Sequence, residues 1–105
     1  MESSKLSDIC KVYSFDGDLP KEMVDVILNP SKYNKSEKRV MTIEEILDAN
    51  DDMSVDFVGL RLIPFVDCFD NDYICFDIKN KNWIMFNSVD ELKFRPCDKL
   101  DDLLN

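Results

Sequence analysis

The sequence predicts a single α+β domain in which helices pack against an antiparallel sheet of about four strands. Three observations lead to this fold class. Apolar residues have helical spacing in the first half of the chain, strand patterns separated by short turns fill the second half, and a helical pattern closes it. A chain of 105 residues fits one compact domain, so residues 1–105 are treated as one unit. A hydrophobic content of 45% and a charged content of 33% suit a packed core with a solvated surface.

The first half begins with a short arm and one predicted helix. Residues 1–18 lack helical periodicity, and they predict an extended arm or an edge strand. A helix is expected to begin at Leu19-Pro20, with Asp18 as its cap, and to end at Asn29-Pro30. Its predicted buried stripe consists of Met23, Val24, Ile27 and Leu28.

A lysine-rich surface loop, residues 31–39, precedes the second predicted helix. Thr42 and Glu45 have the spacing of a capping box, in which each side chain accepts a hydrogen bond from a free backbone N–H. The second helix is therefore expected at about 43–49, and residues 50–52 are expected to close it as a turn.

Strand patterns follow. Residues 57–65 predict a first strand, and residues 67–72 predict an acidic loop. Residues 73–78 and 83–86 predict an antiparallel hairpin, with a turn at 79–82.

A last helix is predicted at 98–104. Leu100, Leu103 and Leu104 recur there at helical spacing, and Asp98 is placed to cap the helix. This helix is expected to dock on the sheet.

The charge of the chain narrows the class of partner. Its 22 acidic and 13 basic residues give a formal net charge of −9 at pH 7. That charge repels nucleic acids and anionic membranes, so we expect neither as a partner and favour a basic protein. An acidic surface that only maintains solubility is the alternative. The sequence lacks a run of about 18 apolar residues and an N-terminal signal-peptide pattern, which predicts a cytoplasmic protein.

The residue types also argue against catalysis. The chain has no histidine, which removes Ser-His and Cys-His nucleophile pairs. Its two glycines, Gly17 and Gly59, are too few for a P-loop or a dinucleotide-binding turn. We therefore predict no enzymatic activity, no catalytic residues and no cofactor.

A metal site is not predicted either. The four cysteines do not have the close pairing of zinc ligands and are expected to be buried free thiols. They are Cys10, Cys68, Cys75 and Cys97. Asp67, Asp70 and Asp72 are spaced as in part of a calcium loop, but the glycine and glutamate that such a loop needs are missing. A solvated acidic loop is the favoured interpretation.

This loop is the predicted partner-binding site. Phe69 lies between acidic residues, where an exposed aromatic ring would suit a binding hot spot, although a ring folded back over the sheet is the alternative. Trp83 is expected in the core, with an interface anchor as the alternative. The predicted partner-binding residues are Asp51, Asp52, Asp67, Phe69, Asp70 and Asp72.

The segment around the loop resembles the central signature of the SUKH superfamily. The residues that carry the resemblance are Leu62-Ile63-Pro64-Phe65, the loop ending in Asp70-Asn71-Asp72, and Tyr73-Ile74-Cys75-Phe76-Asp77. The similarity extends to Leu19-Pro20, to residues 41–47, to residues 83–86 and to the closing helix. Three features of the superfamily are not found: the usual first amphipathic helix is not evident before Leu19, an Asn-Gly-Gly is absent after Leu28, and the acidic loop lacks its usual glycines.

This superfamily includes the yeast cell-wall assembly regulator and many bacterial immunity proteins. The resemblance implies helices against an antiparallel sheet and a binding role, often toxin neutralisation. We therefore expect an immunity protein that binds and neutralises a cognate toxin through an acidic surface. A non-catalytic interaction or scaffold module of the same fold is the alternative.

Overall fold

The structure is a computed structural model that describes residues 2–104, with side chains from residue 5 onward. The strands are β1 (Arg39–Val40), β2 (Leu62–Asp67), β3 (Asp72–Asp77), β4 (Asn82–Asn87) and β5 (Leu92–Cys97). The helices are α1 (Glu2–Val12), α2 (Lys21–Leu28), α3 (Pro30–Tyr33), α4 (Ile43–Leu47), α5 (Ala49–Met53), α6 (Phe57–Leu60) and α7 (Asp101–Leu104). The strands form one antiparallel sheet in the order β1-β2-β3-β4-β5, which confirms the α+β prediction.

Strands β2 to β5 form a meander, and the predicted hairpin of β3 and β4 is its centre. Phe76 lies opposite Trp83, and Tyr73 lies opposite Phe86. The β3–β4 turn (78–81) lies at one end of the sheet, because consecutive connections alternate between the two ends of a meander. The β2–β3 loop (68–71) and the β4–β5 turn (88–91) therefore share the other end.

Both faces of the sheet are largely buried at strands β2, β3 and β4. Phe57 of α6 packs against Phe86 with ring centroids 5.5 Å apart, and Phe15 packs against Phe76 at 5.8 Å. Phe86 shares a face with its opposite residue Tyr73, whereas Phe76 is three positions from Tyr73 and points to the other face. Elements on both sides thus contribute to the core.

The predicted position of Trp83 in the core is confirmed. Its side chain is 3% exposed, and its ring contacts those of Phe65 and Phe76 at 5.7 and 5.1 Å. Trp83 is therefore not an accessible interface anchor.

The prediction of an extended N-terminal arm was wrong, because residues 2–12 form α1. Leu6, Ile9, Cys10 and Tyr13 have helical spacing, and Ile9 and Tyr13 are buried. The Tyr13 hydroxyl donates a hydrogen bond of 2.7 Å to the carbonyl oxygen of Ile46. This bond joins the end of α1 to α4.

Helix α2 ends at Leu28 as predicted, but its buried stripe differs from the prediction. Met23 and Ile27 are buried together with Val26. Val24 is only partly buried, and Leu28 is 41% exposed. The helix therefore faces the core through a rotated stripe.

Two predicted helix caps were wrong. The N-cap residue of α2 is Pro20, without a side-chain cap, so Asp18 does not have this role. Helix α7 begins at Asp101, too far along the chain for Asp98 to be its N-cap. The predicted burial of Leu100, Leu103 and Leu104 is confirmed.

The capping box of α4 is confirmed. Thr42 Oγ1 accepts a hydrogen bond from the Glu45 N–H at 3.1 Å, and Glu45 Oε1 accepts one from the Thr42 N–H at 2.9 Å. Residues 50–52, however, belong to α5 rather than to a turn. That helix ends at Met53, and its C-cap residue Ser54 has φ of 53°.

The first predicted strand was too long, because residues 57–60 form α6. Asp56 caps this helical turn by accepting a hydrogen bond of 2.9 Å from the Gly59 N–H. A Cβ atom at Gly59 would collide with the Asp56 carboxylate. Gly59 thus belongs to a capped helical turn and not to the predicted strand.

Candidate protein-binding surface

The β2–β3 loop and the β4–β5 turn are joined at their shared end of the sheet. The Ser88 N–H donates a hydrogen bond of 2.8 Å to the carbonyl oxygen of Asn71. Residues 67–72 and 88–91 contain five acidic residues and no lysine or arginine. We call these two segments the acidic tip, and its acidic residues are Asp67, Asp70, Asp72, Asp90 and Glu91.

A tight turn shapes the β2–β3 loop. Asp70 and Asn71 have φ of 51° and 69°, and the Asp72 N–H donates to the Phe69 carbonyl oxygen at 2.9 Å. Positive φ at both central residues is the requirement of a type I′ turn, and Asp and Asn tolerate it well. Asp67 Oδ1 also accepts a hydrogen bond of 2.8 Å from the Phe69 N–H.

Phe69 is exposed at this tip. Its side chain is 44% exposed, and its own φ is 63°. A left-handed backbone costs a residue with a Cβ atom about 1–2 kcal/mol. The ring is thus partly exposed to solvent instead of lying fully over the sheet, and its residue has a backbone conformation that is unfavourable for phenylalanine.

A second apolar side chain lies at the same end. Val89 in the β4–β5 turn is 69% exposed. Asn87 Oδ1 accepts hydrogen bonds from the Val89 N–H at 3.0 Å and from the Asp90 N–H at 2.9 Å, which fixes the turn. The sequence analysis missed Val89, although an isolated valine among polar turn residues was a visible signal.

Asp67 faces a cleft beside the tip. The cleft has a volume of about 230 Å³, and its polar lining includes Arg39, Glu45, Asp52, Asp67 and Tyr73. Arg39 donates two hydrogen bonds to the Glu45 carboxylate, at 2.9 and 3.0 Å, and lies 3.7 Å from Asp67 Oδ2.

The contacts in the cleft shift the pKa values of two of its side chains, Glu45 and Tyr73. The hydrogen bonds from Arg39 lower the pKa of Glu45 below its ordinary value. Burial, with the nearby Asp67 carboxylate, raises the pKa of Tyr73. Arg39 is therefore paired with acidic groups, and the three acidic residues of the lining outnumber this one cation.

Asp72 lies on the opposite face of the sheet from Tyr73, because the two are adjacent in β3. Its Oδ1 accepts a hydrogen bond of 2.9 Å from Asn87 Nδ2, directly across from it on β4. Asp72 therefore stabilises the pairing of β3 with β4 as well as adding charge to the tip.

The six predicted partner-binding residues do not lie together on one surface. Within the acidic tip, Phe69 and Asp70 are exposed, whereas Asp72 is half-buried on one face of the sheet. Asp52 and Asp67 line the cleft on the other side. Asp51 is exposed on α5 and lies outside the cleft lining.

The four cysteines are free thiols, but the prediction that all of them are buried was wrong. Only Cys75 is buried, and the other three are partly exposed. Burial raises the pKa of Cys68 to about 11 and that of the fully buried Cys75 well above its ordinary value. Burial therefore favours the neutral thiol over the thiolate at both positions.

Over residues 2–104, the structure contains no group of three or more side chains placed to hold a metal ion. Within the same residues, no helix is long and apolar enough to cross a membrane.

No family model, curated protein or solved structure matches this chain.

Proposed function

We propose that this protein binds a basic protein through the acidic tip, and that the partner is a toxin domain which it neutralises in the cytoplasm. The observation that supports binding at the tip is the exposure of Phe69 and Val89 within a segment that carries only acidic charge. Binding hot spots combine an apolar or aromatic anchor with a polar rim that excludes water.

The charge distribution along the sheet favours one orientation of approach. The β3–β4 turn at the opposite end carries Lys79 and Lys81, both exposed. A basic partner is therefore attracted to the acidic tip and repelled from the opposite end. Complementary charge of this kind increases the association rate and fixes orientation.

The shape of the tip also favours a protein partner over a small molecule. Small ligands bind in concave pockets that bury most of their surface. The side chains of Phe69 and Val89 instead extend from two turns at the end of a sheet. Such side chains can enter a depression on a protein surface.

The toxin as partner rests on the resemblance to SUKH immunity proteins. The same tip would serve a scaffold module equally well in physical terms. Protection of a cell against the toxin distinguishes these two functions, because a scaffold module binds its partner without neutralising it.

The test is to take a candidate toxin domain, sought first in the genes next to that of this protein, to co-express the two and to measure cell survival and binding kinetics. In one variant, Asp70→Asn and Asp90→Asn remove two exposed charges from the tip. The matched control removes the exposed charges of Asp8 and Asp16, which lie elsewhere in the sequence, by the same substitutions. Asparagine is well tolerated at the positive φ of Asp70, so folding should not change.

We expect the unmodified protein and the control variant to protect the cells. The tip variant should associate more slowly, and its association rate should depend less on salt. Equal association rates for the tip and control variants would contradict binding at the tip. Binding without protection would favour the scaffold function.

A further inference from the structure

The two edge strands of the sheet, β1 and β5, differ in whether other parts of the chain cover them. At β1, the Val40 N–H donates a hydrogen bond of 2.7 Å to Asn34 Oδ1, and α3 packs beside the strand. At the other edge, β5 is the last strand and pairs within the sheet with β4 alone. Residues 92–96 are all exposed. The fold therefore covers one edge and leaves the other open.

The open edge carries apolar side chains. Leu92 is 60% exposed and Phe94 is 37% exposed. Leu92 lies opposite Asn87 and Phe94 opposite Met85, so both point to the same face of the sheet. An apolar stripe on an unpaired strand is a template for pairing with another extended chain.

The backbone features that oppose such pairing are confined to the end of β5. Natural edge strands are shielded by charge, bulges and proline. The β4–β5 register shifts between Trp83 and Met85, Arg95 has φ of 52°, and Pro96 has no N–H to donate. The segment Leu92–Phe94 lies before these features, and Lys93 is the only charged residue in it.

The charge on this segment specifies the occupant. Lys93 lies between the two apolar residues and opposite Phe86, so its side chain points to the other face of the sheet. An added strand would place one residue directly across from Lys93, and opposite charges in such cross-strand positions stabilise pairing.

We propose that Leu92–Phe94 bind an extended segment of a partner protein by strand addition. The segment carries apolar residues opposite Leu92 and Phe94, and an acidic residue opposite Lys93. This surface lies next to the acidic tip but does not depend on the basic partner of the proposed function.

A second copy of the chain fits this edge less well. Each copy carries a net charge of −9, which opposes association. An antiparallel pairing of two Leu92–Phe94 segments would be centred on Lys93 and would place Lys93 of one copy opposite Lys93 of the other. Like charges in directly opposite positions destabilise strand pairing.

The test uses the full chain and a capped peptide, Thr-Val-Glu-Ile-Thr, with amide chemical shifts followed by NMR. We expect saturable shifts at Leu92, Lys93 and Phe94 at millimolar peptide concentrations. The same peptide with Lys in place of Glu should bind about two- to fivefold more weakly. Phe94→Ser should weaken binding of the Glu peptide.

A charge exchange provides the control. Lys93→Glu should reverse the preference, so that the Lys peptide binds more tightly than the Glu peptide. Lys79→Glu changes an exposed lysine at the opposite end of the sheet and should leave the preference as in the unmodified protein. Thermal unfolding of each variant checks that the fold is intact.

Three results would overturn the proposal. These are the absence of saturable shifts in β5, equal affinity for the two peptides, and saturable shifts confined to another part of the molecule. A dimer in sedimentation that is lost in Phe94→Ser would make a second copy the occupant instead. None of these readouts requires the toxin domain, so failure here is separate from failure of the proposed function.

Discussion

Phe69→Gly and Phe69→Ala should both weaken partner binding, but they should differ in how they affect folding. Both variants remove the ring. Glycine adopts the φ of 63° at this position without strain. Alanine keeps the Cβ atom, which makes this left-handed backbone conformation unfavourable. The pair therefore separates the contribution of the ring from that of the backbone.

The expected loss of binding free energy follows from the exposed area of Phe69. An aromatic side chain buries about 200 Å² when fully covered, so the 44% that is exposed corresponds to about 90 Å². At about 25 cal/mol per Å², covering that area on binding contributes about 2 kcal/mol, or about 30-fold in Kd. The loss should be mainly in the dissociation rate.

The expected difference in stability between the two variants follows from the backbone conformation at residue 69. Glycine avoids the cost of the left-handed conformation, which is about 1–2 kcal/mol for alanine. The larger conformational entropy of glycine in the unfolded chain offsets about 0.5–1 kcal/mol of this gain. Phe69→Gly should therefore be more stable than Phe69→Ala by about 0.5–1 kcal/mol, the reverse of the usual order at non-glycine positions.

Dissociation kinetics with the toxin domain and urea denaturation of the free variants test both parts. Unchanged dissociation in both variants would show that the ring is not an anchor. An alanine variant more stable than the glycine variant would refute the backbone argument.

Three further predictions concern stability and are each measured by denaturant unfolding. Lys81→Gly should raise the free energy of unfolding by about 0.5–1 kcal/mol, because Lys81 has φ of 55° in the β3–β4 turn; a decrease would contradict this. Tyr13→Phe should lower it by about 1 kcal/mol through loss of the hydrogen bond to Ile46, and no change would show that this bond does not stabilise the packing of α1. Glu45→Gln should destabilise the protein at neutral pH. Because the folded pKa of Glu45 is lowered by Arg39, the stabilising contribution of its charge is present above the unfolded pKa and disappears as pH falls through the folded value. The difference from the unmodified protein should therefore shrink with acidification, and a constant difference would contradict this origin.

Local patterns accounted for the parts of the fold that were predicted correctly. The capping box of Thr42 and Glu45 requires only residues close in sequence, and it forms as expected. The β3–β4 hairpin is likewise specified by two strand patterns and a short turn.

The errors came from segments in which two patterns competed. Alternating residues at 12–16 favoured a strand, although the four-residue spacing of Ile9 and Tyr13 fits one face of a helix. At 57–60, a β-rich composition concealed a helical turn that depends on the cap from Asp56. Strand β5 was not predicted, because its polar and apolar residues are mostly exposed and give little burial pattern.

The candidate surface was only partly predictable for a different reason. The acidic loop around Phe69 is contiguous in sequence and was identified there. Its juxtaposition with Val89 depends on the pairing of distant strands and on the hydrogen bond from Ser88 to Asn71. Separation of Asp72 from Asp67 by the sheet is likewise a consequence of strand register.

Amide hydrogen exchange of the protein alone and in complex with the toxin domain tests the central claim most directly. The account predicts slower exchange in the complex at residues 67–72 and 88–91, with little change in α2 and α3. Unchanged exchange at the acidic tip, with protection confined to residues 21–33, would contradict binding through the tip.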